Sequence, residues 1–139
     1  MIRENTAKNT QSEDDYWEYL HRQFPSISPQ TLEDCKTKNK DPKKLKRFES
    51  SIDYVFLEEK DLEEIFKVGT DGWQNFYKRY PGSSGFIALS QVGFNKTMDQ
   101  ALVFITDACG MECGVGRYIL LQRNSEGWQV IKAHMVFVA

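Results

Sequence analysis

A chain of 139 residues that is 40% hydrophobic and 13% aromatic has the material for one globular domain with a core of ordinary size. Its formal net charge of −2 gives no general attraction for phosphate backbones, which argues against a nucleic-acid partner. No run reaches the roughly 20 apolar residues of a membrane span, and Met1-Ile2-Arg3-Glu4-Asn5 lacks the apolar stretch of a signal peptide. The expectation is a cytoplasmic protein, with export as the alternative if a native signal precedes this start.

In chain order, residues 1–11 are polar and carry no apolar period, which predicts a disordered tail ahead of a single domain over 12–139. Ser12 is placed to cap a first helix, in which Asp14 and Asp15 suit the dipole, Trp17, Leu20 and Phe24 recur at helical spacing, and Pro25 ends the run. A second short helix follows from Ser28, with Pro29 at its first position and Leu32 and Cys35 one turn apart. Lys36 to Arg47 is a basic connector turned at Asp41-Pro42; without interleaved aromatics it reads as a solvated segment. Ile52, Tyr54 and Phe56 alternate with Asp53, Val55 and Leu57 as in a first strand. The acidic run from Glu58 to Glu64 opens a helix where the dipole favours negative charge. Leu62, Ile65 and Phe66, then Trp73, Phe76, Tyr77 and Tyr80, form the apolar stripe of a helical arm broken at Gly69-Thr70-Asp71-Gly72.

Beyond Pro81-Gly82 the period changes from near 3.6 to 2. Strands are predicted at about 85–94, 100–106, 116–123 and 127–138, joined by short connections as an antiparallel meander. The fold class is α+β, with helices packed on a curled sheet in the order α-α-β-α-β-β-β-β. Both faces of the later strands are apolar. Ile131, Ala133, Met135 and Phe137 alternate with Trp128, Val130, Val136 and Val138 around Lys132 and His134. A sheet with helices on one side and water on the other does not read this way, so the sheet curls to enclose both faces or meets another subunit. A homodimer through the sheet face is therefore expected.

The element order resembles the nuclear-transport-factor-2-like superfamily, with the cystatin-like arrangement a near alternative. A closer likeness lies in Gly72-Trp73 to Phe76-Tyr77, Tyr80-Pro81-Gly82-Ser83, Ser90-Gln91-Val92-Gly93-Phe94-Asn95, Gln100-Ala101-Leu102-Val103, Cys109-Gly110 with Cys113-Gly114-Val115-Gly116, and Gly127-Trp128-Gln129-Val130. In that order these motifs resemble a group of small uncharacterised bacterial proteins over about half of the chain. The resemblance brings no activity with it. Some of that group look exported or lipid-anchored, which implies a disulfide between Cys109 and Cys113.

The Gly-rich segment Cys109–Gly116 reads as a hairpin turn. Cys109 and Cys113 are close enough to bridge in an oxidising compartment and stay thiols in a reducing one. No second Cys or His pair completes a metal site, the C-x3-C spacing is not that of a redox motif, and a strand rather than a helix follows the glycines. No metal or cofactor is expected. A nucleophilic set would take Cys113 or Ser90 as nucleophile, His134 as base and Asp107 as orienting acid, and it needs direct contact among its members. Trp73, Tyr77, Tyr80, Trp128 and His134 are the candidate ligand-binding residues for a small amphipathic molecule held in the curl of the sheet. These residues leave two readings: a non-catalytic binding or protein-interaction domain, and a small enzyme or ligand-binding protein with an enclosed pocket.

Overall fold

The structure is a computed structural model that describes residues 1–7 and 14–139. The described residues form β1 (Ile2–Arg3), α1 (Asp14–Gln23), α2 (Pro29–Lys38), β2 (Phe56–Leu57), α3 (Glu59–Ile65), α4 (Gly72–Arg79), β3 (Phe86–Leu89), β4 (Gly93–Phe94), β5 (Gln100–Gly110), β6 (Cys113–Asn124) and β7 (Gly127–Val138). The architecture is α+β. One open sheet runs β2-β1-β3-β5-β6-β7, with β4 continuing the β3 edge of β5.

Local chemistry sets the helix ends. Asp14 and Asp15 lie in the first turn of α1 and His21 and Arg22 in its last, matching the dipole at both ends. The predicted Ser12 cap lies outside the described residues. Ser28 caps α2 through its Oγ, which accepts the Gln30 N–H at 3.3 Å, and Pro29 occupies the first turn, where no amide is needed. Asp71 caps α4 by accepting the Gln74 N–H at 3.0 Å. The predicted helical arm is therefore two helices, with a break at Gly69, whose φ of +85° only glycine adopts readily.

All four helices lie on one face of the sheet. Trp17, Leu20 and Phe24, with Ile27 and Cys35, pack onto Leu102, Tyr118 and Leu120, and a second cluster joins Leu57, Ile65 and Phe76 with Trp73, Tyr77 and Phe86. Cross-strand partners share a face, so the side chains between these, among them Val103, Ile105, Ile119, Leu121, Ala133 and Met135, point to the opposite, outer face.

Several expectations are corrected. Within the expected tail, Ile2–Arg3 is a strand lying parallel between β2 and β3, and Ile2 is buried. The sheet is thus mixed rather than a pure meander, because the chain start fills the gap left between β2 and β3. The strand predicted from Ile52 narrows to Phe56–Leu57, and the segment before it is irregular. The strand predicted over 85–94 is broken into β3 and β4. The expected long Cys loop shrinks to Met111-Glu112, since β5 and β6 pair up to Gly110 and Cys113.

The predicted faces of β7 also change. Register shifts at Ile131 and Val136 each insert an unpaired residue. They put Trp128, Val130, Ala133, Met135 and Val138 on the outer face, while Phe137 turns to the helix side and lies over Gly116, where an added Cβ would sit 2.2 Å from its ring.

Candidate functional site

Side chains able to do chemistry stand on both faces of the sheet. Ser90 pairs with Phe104, which pairs with Tyr118, which pairs with His134, so Ser90 and His134 share one row. Three strand spacings separate them, about 14 Å. Ser90 donates its N–H to Phe104 O at 2.8 Å, and its Oγ accepts the Phe104 N–H at 2.8 Å while donating to Gln91 O at 2.9 Å. The hydroxyl thus completes the ladder where the chain leaves β3, and the residue is buried.

His134 lies under α1, its Nε2 2.9 Å from the Tyr19 hydroxyl and its ring edge-on to Tyr19 and Phe24. Asp107 is on the outer face, ion-paired with Arg117. Cys113 is joined to Cys109 in a disulfide, with Cα atoms 5.1 Å apart, and so carries no thiolate. The set of Cys113 or Ser90, His134 and Asp107 is not brought together, because alternation along the strands sends its acid and its base to opposite sides.

The candidate ligand residues divide in the same way. Trp73, Tyr77 and Tyr80 pack with Phe76 and Phe86 in a filled aromatic cluster, Trp73 stacking on Phe86 at 5.8 Å. The Tyr77 hydroxyl donates to Cys109 O at 2.7 Å, tying α4 to the hairpin tip. Trp128 is on the outer face, 41% exposed, with Phe94 6.0 Å away and the Arg123 guanidinium 5.6 Å above its ring. Trp73, Tyr77 and Tyr80 thus lie in one packed cluster, while Trp128 and His134 stand on opposite faces of the sheet. An open groove of about 690 Å³ lies between α2 and the segment 94–98, where Lys38 bridges Asp34 at 2.6 Å. Asp34 also accepts the Phe94 N–H. Burial opposes ionisation of Asp34, but the Lys38 and Phe94 bonds outweigh it and hold its carboxyl below the usual range.

Cys35, Tyr16 and Tyr118 are the ionisable groups of the core between α1, α2 and the sheet. Burial pushes the Cys35 thiol up to about 12 and raises both phenols. All three therefore stay neutral at physiological pH. Among the described residues no three of His, Cys, Asp and Glu converge as metal ligands.

Two buried polar residues that sequence reading passed over hold the site's framework. Gln100 accepts from Ser28 N–H and Thr31 Oγ through its Oε1 and donates to Ser26 O, fixing the turn between α1 and α2 to the start of β5. Asn39 donates to Cys35 O and Gln91 O and accepts the Gln91 N–H, joining the end of α2 to the bend between β3 and β4. The one hint in the sequence is a polar residue at the mouth of an otherwise apolar strand.

Among the described residues, no helix covers the outer face of β5, β6 and β7. It is bounded at one end by Phe94, Trp128 and Arg123 and at the other by the Asp107–Arg117 pair. Between them Val130 is 62% exposed and Met135 56%. No family model, curated protein or solved structure matches this chain.

Proposed function

We propose that this protein is a non-catalytic interaction domain that works through the outer face of its sheet. One observation carries the reading. The groups suited to chemistry are bound into the framework, while a row of large apolar side chains is left in water. A contiguous apolar face of this kind costs solubility and marks a contact surface in a soluble domain. A disulfide persists in an oxidising compartment, so the Cys109–Cys113 bond supports the exported alternative over the cytoplasm. The resemblance of its motifs to small bacterial proteins, some of which look exported or lipid-anchored, is in keeping with the same placement.

A photo-crosslinking amino acid placed at Met135, and in a control at the exposed Arg22 on α1, tests this in cells of the source organism. A defined adduct from position 135 that is missing from position 22 is expected. No adduct from position 135 overturns the reading.

A further inference from the structure

Resting on that reading, we infer that the partner at the outer face is a second copy of this chain, packed sheet against sheet about a two-fold axis. The argument starts from area. Trp128, Val130, Met135 and Val138 are 41%, 62%, 56% and 67% exposed. With the half-buried side chains of β5 and β6 between them, they present on the order of 600 Å² of apolar surface, close to the roughly 800 Å² per partner of a standard interface.

Charge then selects the partner. Arg117 is neutralised by Asp107 on its own chain, and Lys132, the one charged residue of β7, is turned to the helix side, where its Nζ donates to Gln23 O at 2.5 Å. Arg123 spreads over the Trp128 ring at the rim. An acidic peptide, a nucleic acid or an anionic lipid surface would need several unpaired cations here, and among the described residues of this face Arg123, at the rim, is the one outside an ion pair. A face that is apolar apart from one rim cation is matched by another of the same kind, and the second copy supplies one with the same outline.

The geometry of β7 decides how the copies meet. β7 is the edge of the sheet, yet the unpaired residues at Ile131 and Val136 interrupt its run. Such bulges twist an edge away from strand addition. Side chains of the face therefore make the contact, with the two sheets about 10 Å apart, as in sandwiches.

Sedimentation equilibrium of the full chain up to about 200 µM tests the inference. A dimer is expected. Met135→Glu and Val130→Glu are each expected to weaken it by about tenfold or more while far-UV circular dichroism is unchanged. Val68→Glu, at a position 98% exposed between α3 and α4, is expected to leave it intact. The two face variants guard against a misfolded one, and both positions are open enough to take a charge without entering the core. A wild-type monomer throughout the range overturns the inference, as does a dimer that survives both face variants or is lost equally in Val68→Glu. If the wild type is a monomer and position 135 still crosslinks to another protein, the homodimer falls and the interaction domain stands. If position 135 crosslinks to nothing, both fall.

Discussion

Ser90 shows how a residue that looks like a nucleophile becomes a piece of backbone. Its hydroxyl replaces the ladder bond that a bending strand cannot make, so Ser90→Ala leaves the half-buried Phe104 N–H without its acceptor. The expected loss is about 1 kcal/mol in urea unfolding, the usual net worth of a hydrogen bond whose donor is only partly shielded from water. The aromatic residues separate by burial in the same way. Phe76 is fully buried and Phe76→Ala is expected to cost about 3–5 kcal/mol, whereas Trp128 is 41% exposed and Trp128→Ala about 1 kcal/mol. The sequence alone ranks these two alike, because both sit at apolar positions of a regular period. Cysteine chemistry is also set residue by residue. Of the three cysteines, Cys35 is buried and the others are bridged, so a thiol reagent is expected to find none in the native protein purified without reductant and one in denaturant. Two further thiols in the native count would show the bridge to be open.

At the scale of elements, close approach governs how α2 meets the sheet. Gly93 on β4 faces Cys35 so closely that an added Cβ would lie 2.5 Å from the Cys35 backbone nitrogen. Backbone cannot yield as a flexible side chain does, so Gly93→Ala is expected to push α2 off β4 and lower stability by about 1–3 kcal/mol or more, measured by thermal or urea unfolding. The existence and type of α1, α2, α4, β5, β6 and β7 are legible in the chain, since period, caps and turn residues are local properties. β1 is not. Two residues with no period of their own become a strand because neighbouring edges supply the hydrogen bonds and Ile2 finds an apolar slot.

Over the whole molecule, the core between α1, α2 and the sheet carries a pH signature. The folded state holds the Cys35 proton more tightly than the unfolded chain, whose thiol ionises near 9.0. The stability this gives is complete below that pH and is lost as pH rises toward about 12, at up to about 1.4 kcal/mol per pH unit. Tyr16 and Tyr118, raised above their ordinary 10.0, act in the same direction at higher pH. Urea unfolding from pH 7 to 10.5 is expected to show this fall, and Cys35→Ala to flatten its first part. A wild-type stability unchanged across that range would show the thiol to be solvated.

The α+β class, the order of the major elements and the surplus of apolar residues on the strands follow from the sequence by itself, because each depends on residues a few positions apart. Which apolar residues face water is another matter. Alternation puts Phe137 with Met135, and two bulges in β7 separate them. It likewise leaves Ser90, Asp107 and His134 free to meet, and the sheet sets Ser90 and His134 three strand spacings apart in one row and Asp107 on the opposite face. Bulges, row positions and the parallel insertion of β1 are agreements between segments far apart in the chain, settled by packing and by the need to pair every buried backbone group. Tertiary structure therefore decided which side chains of β5, β6 and β7 lie under the helices and which stand on the outer face, because that choice rests on register and bulges rather than on local period.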